Sequence, residues 1–492
     1  MNSFPFLKPA AAALALGMVL AGCSLAPTYE RPEMPVSDSF GQTGVTADTG
    51  DRTPAAALGW SEFFHDPRLH ALIELALDNN RDLRIAADRV EEARAMYGVA
   101  QSDRLPTIGI GANAQHTRNP RDLRIGGPES DSVSRVYTAG IGLTAFEIDF
   151  FGRLKNLSES AFEQYLATEQ AHATVHINLI AQVAEAYFRY RTARELKSLM
   201  LKTQGSRQET FDMVQARYDI GVASALDINQ ARSQLQAVKA DLSAIDRQQS
   251  RAFNALELLV GTSVSDGLPE PATFGRDQLI ASIPAGLPSD LLVRRPDIVA
   301  AEHNLKSRNA DIGAARAAFF PNISITGLLG FASPQLGGLF GSGNRYWQYS
   351  PQLQTPIFGG GQRGTLDVAE ARKDIAVSEY EKTIQQAFRE VADALAGEAT
   401  YSDELEALRE LEQTRVEAVE LARIRYETGV DSFLQVQTAE VDLYTTQQQF
   451  LQLGMESLLN RIELYKALGG GWHKTSVDAA RLYDDGINKP SD

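Results

Sequence analysis

RYDIGVASALD (Arg217–Asp227) and RYETGVDSFLQ (Arg425–Gln435) are one phrase written twice, 208 residues apart. In each copy a glycine, Gly221 or Gly429, stands where a helix C-terminus takes a left-handed residue. Three residues on, Ser224 or Ser432 is placed to cap the next helix, and S-x-x-D (to Asp227) and S-x-x-Q (to Gln435) give both copies a capping-box pattern. The phrase predicts a tight reversal between two helices. Arg217, Tyr218, Arg425 and Tyr426 flank it, and a hairpin tip has few reasons to display Arg and Tyr except to touch something.

The agreement extends through each half of the chain. At the same offset Val183-Ala184-Glu185-Ala186 pairs with Val391-Ala392-Asp393-Ala394, and LELLVG ending at Gly261 pairs with LYKALG ending at Gly469. Nearer the start of each half the offset becomes 215, pairing Asp82 with Asp297, Gly98 with Gly313 and Pro106 with Pro321. Two registers mark an internal duplication with a length change in the loops. The chain accordingly divides into a signal peptide (1–22), an N-terminal segment (23–81), a first repeat (82–261), a linker (262–296), a second repeat (297–469) and a tail (470–492).

Each repeat opens with a helical pattern of Ala, Arg and Glu (about 82–104 and 297–319), then a Pro, then alternation. Ile108, Ile110, Ala112 and Ala114 share one side against Thr107, Gly109, Gly111, Asn113 and Gln115. After a polar loop, Tyr137, Ala139, Ile141, Leu143 and Ala145 oppose Thr138, Gly140, Gly142 and Thr144. In the second repeat Ile323, Ile325, Leu329 and Phe331 alternate with Asn322, Ser324, Thr326 and Gly330, and Trp347, Tyr349 and Leu353 with Gln348, Gln352 and Gln354. Four strands of about ten residues, apolar on one face and polar on the other, have the length of tilted transmembrane strands. Half of a soluble sandwich would alternate in the same way. Four strands cannot close a barrel, and an open edge in lipid leaves backbone groups unpaired, so strands placed in a membrane require several copies to share one wall.

From the second strand to the tip the pattern stays helical, Gly152 to Tyr218 and about Arg363 to Tyr426, with no Pro in either run. The first run would be roughly 100 Å long. Returning helices, Ser224–Val260 and Ser432–Leu468, are about 37 residues or roughly 55 Å each. Stacked end to end with the opening helices, they would nearly match the long runs. The connecting stretches, about 55–80, 262–296 and 470–492, are then expected to gather at mid-height as a mixed belt.

A length of 492 residues exceeds one ordinary domain, and 47 Lys plus Arg against 63 Asp plus Glu leave a net charge of −16, which disfavours nucleic acid as a partner. The one cysteine, Cys23, excludes an internal disulfide and a thiolate metal site. Lys8 precedes AAAALALGMVLAG, an apolar run that suits a signal-peptide core and is too short to span a bilayer. Leu20-Ala21-Gly22-Cys23 resembles the bacterial lipobox. That resemblance implies diacylglycerol and N-palmitoyl on Cys23 as the mature N-terminus, and Ser24 after it implies passage to the outer membrane.

With these features the chain resembles the TolC-like outer membrane factors of tripartite efflux pumps, in particular the OprM-type lipoprotein branch. Carrying the resemblance are GWSEFFHDPRL (59–69), EQYLATEQA (163–171), LPSDLLVRRPDI (287–298), IGAARAAFFPNISITG (312–327) and YKALGGGW (465–472). The family implies a mainly α fold with transmembrane β: a homotrimer whose three sets of four strands close a 12-stranded barrel above a periplasmic tunnel of coiled-coil α-hairpins. It implies a passive exit duct for drugs, partnered by a periplasmic membrane-fusion adaptor and an inner-membrane proton-driven RND transporter. The tips would close the tunnel and dock with adaptor hairpins, opening by an iris-like rotation. By position, Tyr426 and Asp227 would join the bonds that latch the inner coil to the outer one. The chain departs from the family where relatives place lumen-facing carboxylates: Gln435 and Thr438 stand there, leaving Asp431 as the nearest acid, at a position where some relatives have a basic latch residue.

Catalytic signals are thin, and neither an enzyme nor a cofactor is expected. His172 and His176 lie one helical turn apart, but Ala173 stands where a zinc-protease helix has Glu. FGGGQRG (358–364) lacks the Lys-Ser/Thr of a phosphate loop and suits a strand-to-helix junction. A periplasmic adaptor lipoprotein would need one hairpin and soluble β-domains, against two hairpins and four amphipathic strands here. Channels for type I protein secretion or metal-ion efflux remain the alternative cargo classes.

Overall fold

The computed structural model describes residues 24–37, 58–124, 127, 132–265, 267–272, 275, 278–280, 291–358 and 360–476; the predicted signal peptide and Cys23 lie outside the described residues. Its main elements are α1 (Pro67–Asn79), α2 (Arg81–Ser102), β1 (Ile108–Arg118), β2 (Val133–Ile148), α3 (Arg153–Asp219), α4 (Ala225–Val260), α5 (Pro296–Ala317), β3 (Asn322–Ser333), β4 (Arg345–Gln354), α6 (Gly361–Glu427) and α7 (Phe433–Ala467). Two compact units result. One takes its described residues from 24–32, 90–168 and 301–380, the other from 33–89, 169–300 and 381–476.

In the first unit the strands form one antiparallel sheet in the order β1-β2-β3-β4. Its register puts Ile110 opposite Ile141, Ile141 opposite Leu329, and Leu329 opposite Trp347, so one row of large apolar side chains crosses all four strands on one face. That face is bare: Ile110 is 89% exposed and Trp347 74%. Asn113, Thr138, Gln348 and Gln352 lie on the other face. Among the described residues the outer edges of β1 and β4 have no ladder partner.

One expectation about this sheet is corrected. Simple alternation carries β2 straight through Ala145, yet Ala145 sits at φ +43° and the register shifts between Leu143 and Phe146. A β-bulge adds one residue and reverses the parity of the strand beyond it. Phe146 and Ile148 thereby face Ile325 and Ile323 on the apolar side, while Glu147 faces Ser324 on the polar one. Without the bulge the strand would turn two apolar side chains to the wet face.

Helices α3 and α6 each hold 67 residues, about 100 Å of continuous helix. Small side chains fill their covered faces, among them Ala173, Ala184 and Ala193 on α3 and Ala376, Ala387 and Ala394 on α6. Helices α4 and α7, with 36 and 35 residues, reach about half as far, and the opening helices are spliced onto their ends. Helix α4 ends at Gly261, left-handed at φ +76°. Asn80 bridges the junction: its amide donates to the Leu259 carbonyl (2.8 Å) and its oxygen accepts from the Leu83 N–H (2.9 Å) at the head of α2. In the second copy the equivalent position, 215 residues on, is Arg295. Its guanidinium donates to the Ala467 carbonyl (3.0 Å) at the end of α7, to Asp297 of α5 (2.7 and 3.0 Å) and to Glu390 of α6 (2.8 Å). One splice uses a neutral amide and the other a charged fork.

The connecting segments converge in the second unit. Phe64 and Leu279 form a β-bridge, and the Trp60 and Ser61 N–H groups donate to the carbonyls of His473 (3.0 Å) and Lys474 (3.1 Å). Trp60, Phe63, Phe64 and Leu72 pack with Tyr187 and Phe188 of α3, Val260 of α4 and Tyr465 of α7 in one core. Each such large side chain contributes about 1.5–3 kcal/mol when fully buried. Asp66 caps α1 by accepting from the Arg68 N–H (2.9 Å) and takes a further bond from the Tyr187 hydroxyl (2.7 Å).

In the first unit residues 24–31 are tied along α5. Asn309 donates to the Pro27 carbonyl (2.7 Å), and Tyr29 and Arg31 both donate to Glu302 (3.2 Å and 2.8 Å). Burial would raise the Glu302 carboxyl, but Lys306 and Arg31 hold it below its ordinary value. Gly313 makes room for the strap, since a Cβ there would meet the Ala26 nitrogen at 2.7 Å.

Candidate functional site

The two copies of the opening phrase form two hairpin tips in the second unit. Each long helix ends by folding its last carbonyls onto the turn. The Val222 and Ala223 N–H groups donate to the Arg217 carbonyl (2.8 and 3.1 Å), and those of Val430 and Asp431 donate to the Arg425 carbonyl (2.8 and 3.2 Å). Gly221 and Gly429 supply the left-handed residue at φ +79° and +76°. A side chain at either would incur the steric cost of that region.

The tips then diverge. In the first, Ser224 accepts from the Asp227 N–H (3.2 Å) and the Asp227 carboxylate accepts from the Ser224 N–H (2.9 Å), the reciprocal box that the S-x-x-D pattern predicts. In the second, Ser432 is the N-cap but makes no side-chain cap bond. The predicted second box does not form. Gln435 is neutral and exposed, so no charge draws it back to the turn. Arg425 instead clamps Asp431 across the reversal at 2.6 and 3.1 Å, holding that carboxyl below its ordinary range. Asp431 is thereby committed to its own tip.

Tyr426 joins the tips. It is only 6% exposed and lies in a cluster with Val214, Ile228, Ala231, Phe433 and Val436, drawn from both hairpins. The Arg217 guanidinium sits 4.8 Å from its ring centroid and donates to the Glu427 carbonyl (3.3 Å). Burial raises the Tyr426 hydroxyl above its ordinary value; Arg217 opposes the shift and Asp227 adds to it. That hydroxyl has no hydrogen-bond partner. The Asp227 carboxylate serves its own cap at Ser224. Tyr218 is 42% exposed, and with Ile220, Val222, Leu226, Val430 and Leu434 it leaves the end of each hairpin apolar and open. Thr438 is exposed one turn from Leu434, whose carbonyl takes its hydroxyl (2.9 Å).

Above the tips runs a series of polar ties that periodicity and motif do not single out. Arg423 of α6 donates to Glu440 of α7 (2.6 Å) and to Ser206 of α3 (2.6 Å), while Thr210 of α3 also donates to Glu440 (3.1 Å). Higher still, Arg207 donates to the Gln234 carbonyl (2.9 Å) and covers the Tyr444 ring at 4.9 Å; Tyr444 donates to Asp241 (3.2 Å). In the other copy Arg415 donates to Asp442 (2.6 Å). Arg207 and Arg415, like Gln234 and Asp442, are 208 residues apart. The duplicated offset is the signal that could have found this pair. His172 and His176 both pack edge-on to Trp472, 6.1 and 4.9 Å between ring centroids. Burial, with His172 and His473 adding to it, pushes the His176 imidazole down to about 4.

Comparison with known proteins agrees with this architecture. The outer membrane efflux protein family matches residues 72–262 and 287–470. Outer membrane protein OprJ of Pseudomonas aeruginosa is 43% identical over 470 residues, covering 94% of this chain and 97% of OprJ. The solvent efflux pump outer membrane protein SrpC of Pseudomonas putida is 44% identical over 459 residues, covering 92% of this chain and 97% of SrpC. Among solved structures, the open state of the Neisseria gonorrhoeae MtrE outer membrane channel superposes with a TM-score of 0.83 at 36% identity, over 92% of this chain and all of that one. Both hairpins and all four strands thus fall inside the matched regions, and this chain belongs to the outer membrane efflux protein family, as an outer-membrane channel and not an enzyme.

Proposed function

We propose that the chain works as a homotrimer, in which the free edges of β1 and β4 pair between copies to close a 12-stranded barrel. The sheet supports this by being complete in faces and incomplete in edges: an apolar side suited to lipid, a side of Asn, Thr and Gln suited to water, and two unpaired margins. In hydrocarbon those margins would leave backbone groups unsatisfied, which closure removes. Cys23 would carry the diacylglycerol and N-palmitoyl anchor, one residue before the strap at Ser24–Arg31.

The hairpin tips would be the periplasmic gate and the docking point for a membrane-fusion adaptor that links the duct to an inner-membrane RND transporter. Their exposed Ile220, Val222, Leu226, Val430 and Leu434 offer an apolar end to a partner helix tip. Relatives are named for efflux of antibiotics, toluene and solvents. Cargo of the same kind, small apolar or amphipathic compounds, is the proposal for this channel. Chemical crosslinking of the purified chain combined with single-channel recording tests the assembly. Trimers with one conductance per trimer are expected; a monodisperse monomer that inserts and conducts would overturn it.

A further inference from the structure

The four strands carry only four charged residues, Arg118, Arg135, Arg345 and Glu147. Glu147 lies at the helix end of the sheet and is paired with Arg153 at 2.6 Å. The three arginines lie at the opposite, hairpin end. Arg118 is the last residue of β1, Arg135 the third of β2 and Arg345 the first of β4. All three fall on the apolar face: Arg345 is opposite Phe331, Arg135 is opposite His116, and Arg118 is two residues beyond His116 on the same strand. The strands are staggered, β1 and β2 running on past the last β3–β4 pair, so these positions follow the slanted margin of the sheet. Each arginine is exposed, and none has an acidic partner among the described residues.

Lipid-facing arginine is costly at mid-bilayer and tolerated near the interface. A channel that wanted cations for its cargo would turn them to the polar face, where this sheet has none. Beside them the apolar face holds a hollow of about 660 Å³, walled by Ile110, Ile141, Leu329 and Phe331 and floored by the paired backbone of Gly140 and Gly330. Phe340, packed edge-on to Phe331 at 5.4 Å, and Arg345 form its rim on the hairpin side. A greasy trough headed by a guanidinium matches a molecule with acyl chains below and a phosphate above.

We propose that the outer rim of this face is a binding site for phosphorylated glycolipid of the outer leaflet, with Arg118, Arg135 and Arg345 on the phosphates and an acyl chain in the Gly140–Gly330 hollow. This rests on the trimeric barrel proposed above, in which the apolar face meets lipid and the hairpin ends face outward. Such lipids would pack a collar around the channel and hold it upright.

The test uses the purified full chain in phosphatidylcholine vesicles doped with pyrene-labelled bisphosphorylated lipid A or its dephosphorylated form. Energy transfer from Trp347 is read as the difference from the Trp347→Phe variant. The phosphorylated lipid should gather at the protein, and the triple variant Arg118→Gln, Arg135→Gln, Arg345→Gln should bind it more weakly by on the order of a hundredfold. Equal binding by the triple variant, or equal binding of both lipids by the native chain, overturns the proposal. Brominated phosphatidylcholine supplies the separate control. Absence of Trp347-dependent quenching would overturn the lipid-face reading itself, whereas quenching without phosphate preference would overturn only the glycolipid site.

Discussion

The guanidinium of Arg217 rests 4.8 Å above the ring of Tyr426, so the first hairpin tip grips the second across the duplication. The grip is to the ring face, and the phenol hydroxyl stays unbonded. A contact of this kind holds two hairpins by packing and charge without fixing a single hydrogen-bond geometry. Such a contact can slip when a partner rotates one hairpin against the other.

Arg217→Gln removes the cation and leaves the ring in place. A cation–π contact at a partly exposed site is worth about 0.5–1 kcal/mol, which is about a two- to fivefold change in the ratio of open to closed tips. Recordings in planar bilayers should show the open fraction rising by that factor. In a Tyr426→Leu background the Arg217→Gln change should add little, because the cation has no ring left to cover. Two additive effects would mean that the residues act separately.

Arg423 and Glu440 make the opposite kind of tie, short, charged and partly buried, at 31% and 11% exposure. Arg423→Met strands the Glu440 carboxylate beside Ser206 and Thr210, at a cost of about 1–3 kcal/mol. Replacing both residues with Met restores apolar packing between α6 and α7, so the double variant should be more stable than either single one. Thermal midpoints of the four proteins decide it. A double variant that melts lowest would show that the charge pair itself stabilises the coil.

The fold was legible because its signals are periodic and come twice. Trp347 against Gln348 announces a strand, and Arg217–Asp227 against Arg425–Gln435 announces a hairpin, each from local sequence alone. What stayed hidden depends on relations that periodicity cannot carry. In LTAFEI (143–148) the adjacent Ala145 and Phe146 break the alternation, but a strand end would break it in the same way, and the bulge is fixed only once Phe146 is paired with Ile325. Arg423, Glu440 and Ser206 come from three helices, and over 67 residues a small drift in helical phase changes which side chains meet. At the tips the S-x-x-D pattern announced the Ser224–Asp227 box, which forms. The sequence could not tell that the second box, from Ser432 to Gln435, would stay open.

His176 gives the chain a pH dependence with a definite sign. Its imidazole titrates near 4 in the native state against 6.5 when free, so between those values the unfolded chain binds a proton that the native one does not. Stability is therefore lost as pH falls from 6.5 toward 4, at up to about 1.4 kcal/mol per unit for this group. Across about pH 6.5 to 4.5 the native chain should lose about 2 kcal/mol more than a His176→Gln variant, read as a widening gap in thermal midpoint. Parallel curves for the two proteins would assign the acid sensitivity elsewhere.

Gly111, Gly140 and Gly330 stand in one row across the sheet, paired in that order. They look equivalent in sequence and differ in space. A Cβ on Gly140 would come within 2.8 Å of the Gly330 Cα, and one on Gly330 would fall on the Ala139 carbonyl and within 2.5 Å of the Gly140 Cα. These obstacles are backbone, so no rotamer change relieves them. A Cβ on Gly111 meets nothing within 4 Å. Gly140→Ala and Gly330→Ala should each destabilise the folded sheet by about 1–3 kcal/mol, as overpacking does, while Gly111→Ala stays within about 0.5 kcal/mol of the native chain. Denaturation midpoints of the three variants in one detergent suffice. Equal losses at all three positions would mean that backbone freedom, and not the close approach of β2 to β3, is what the row of glycines provides.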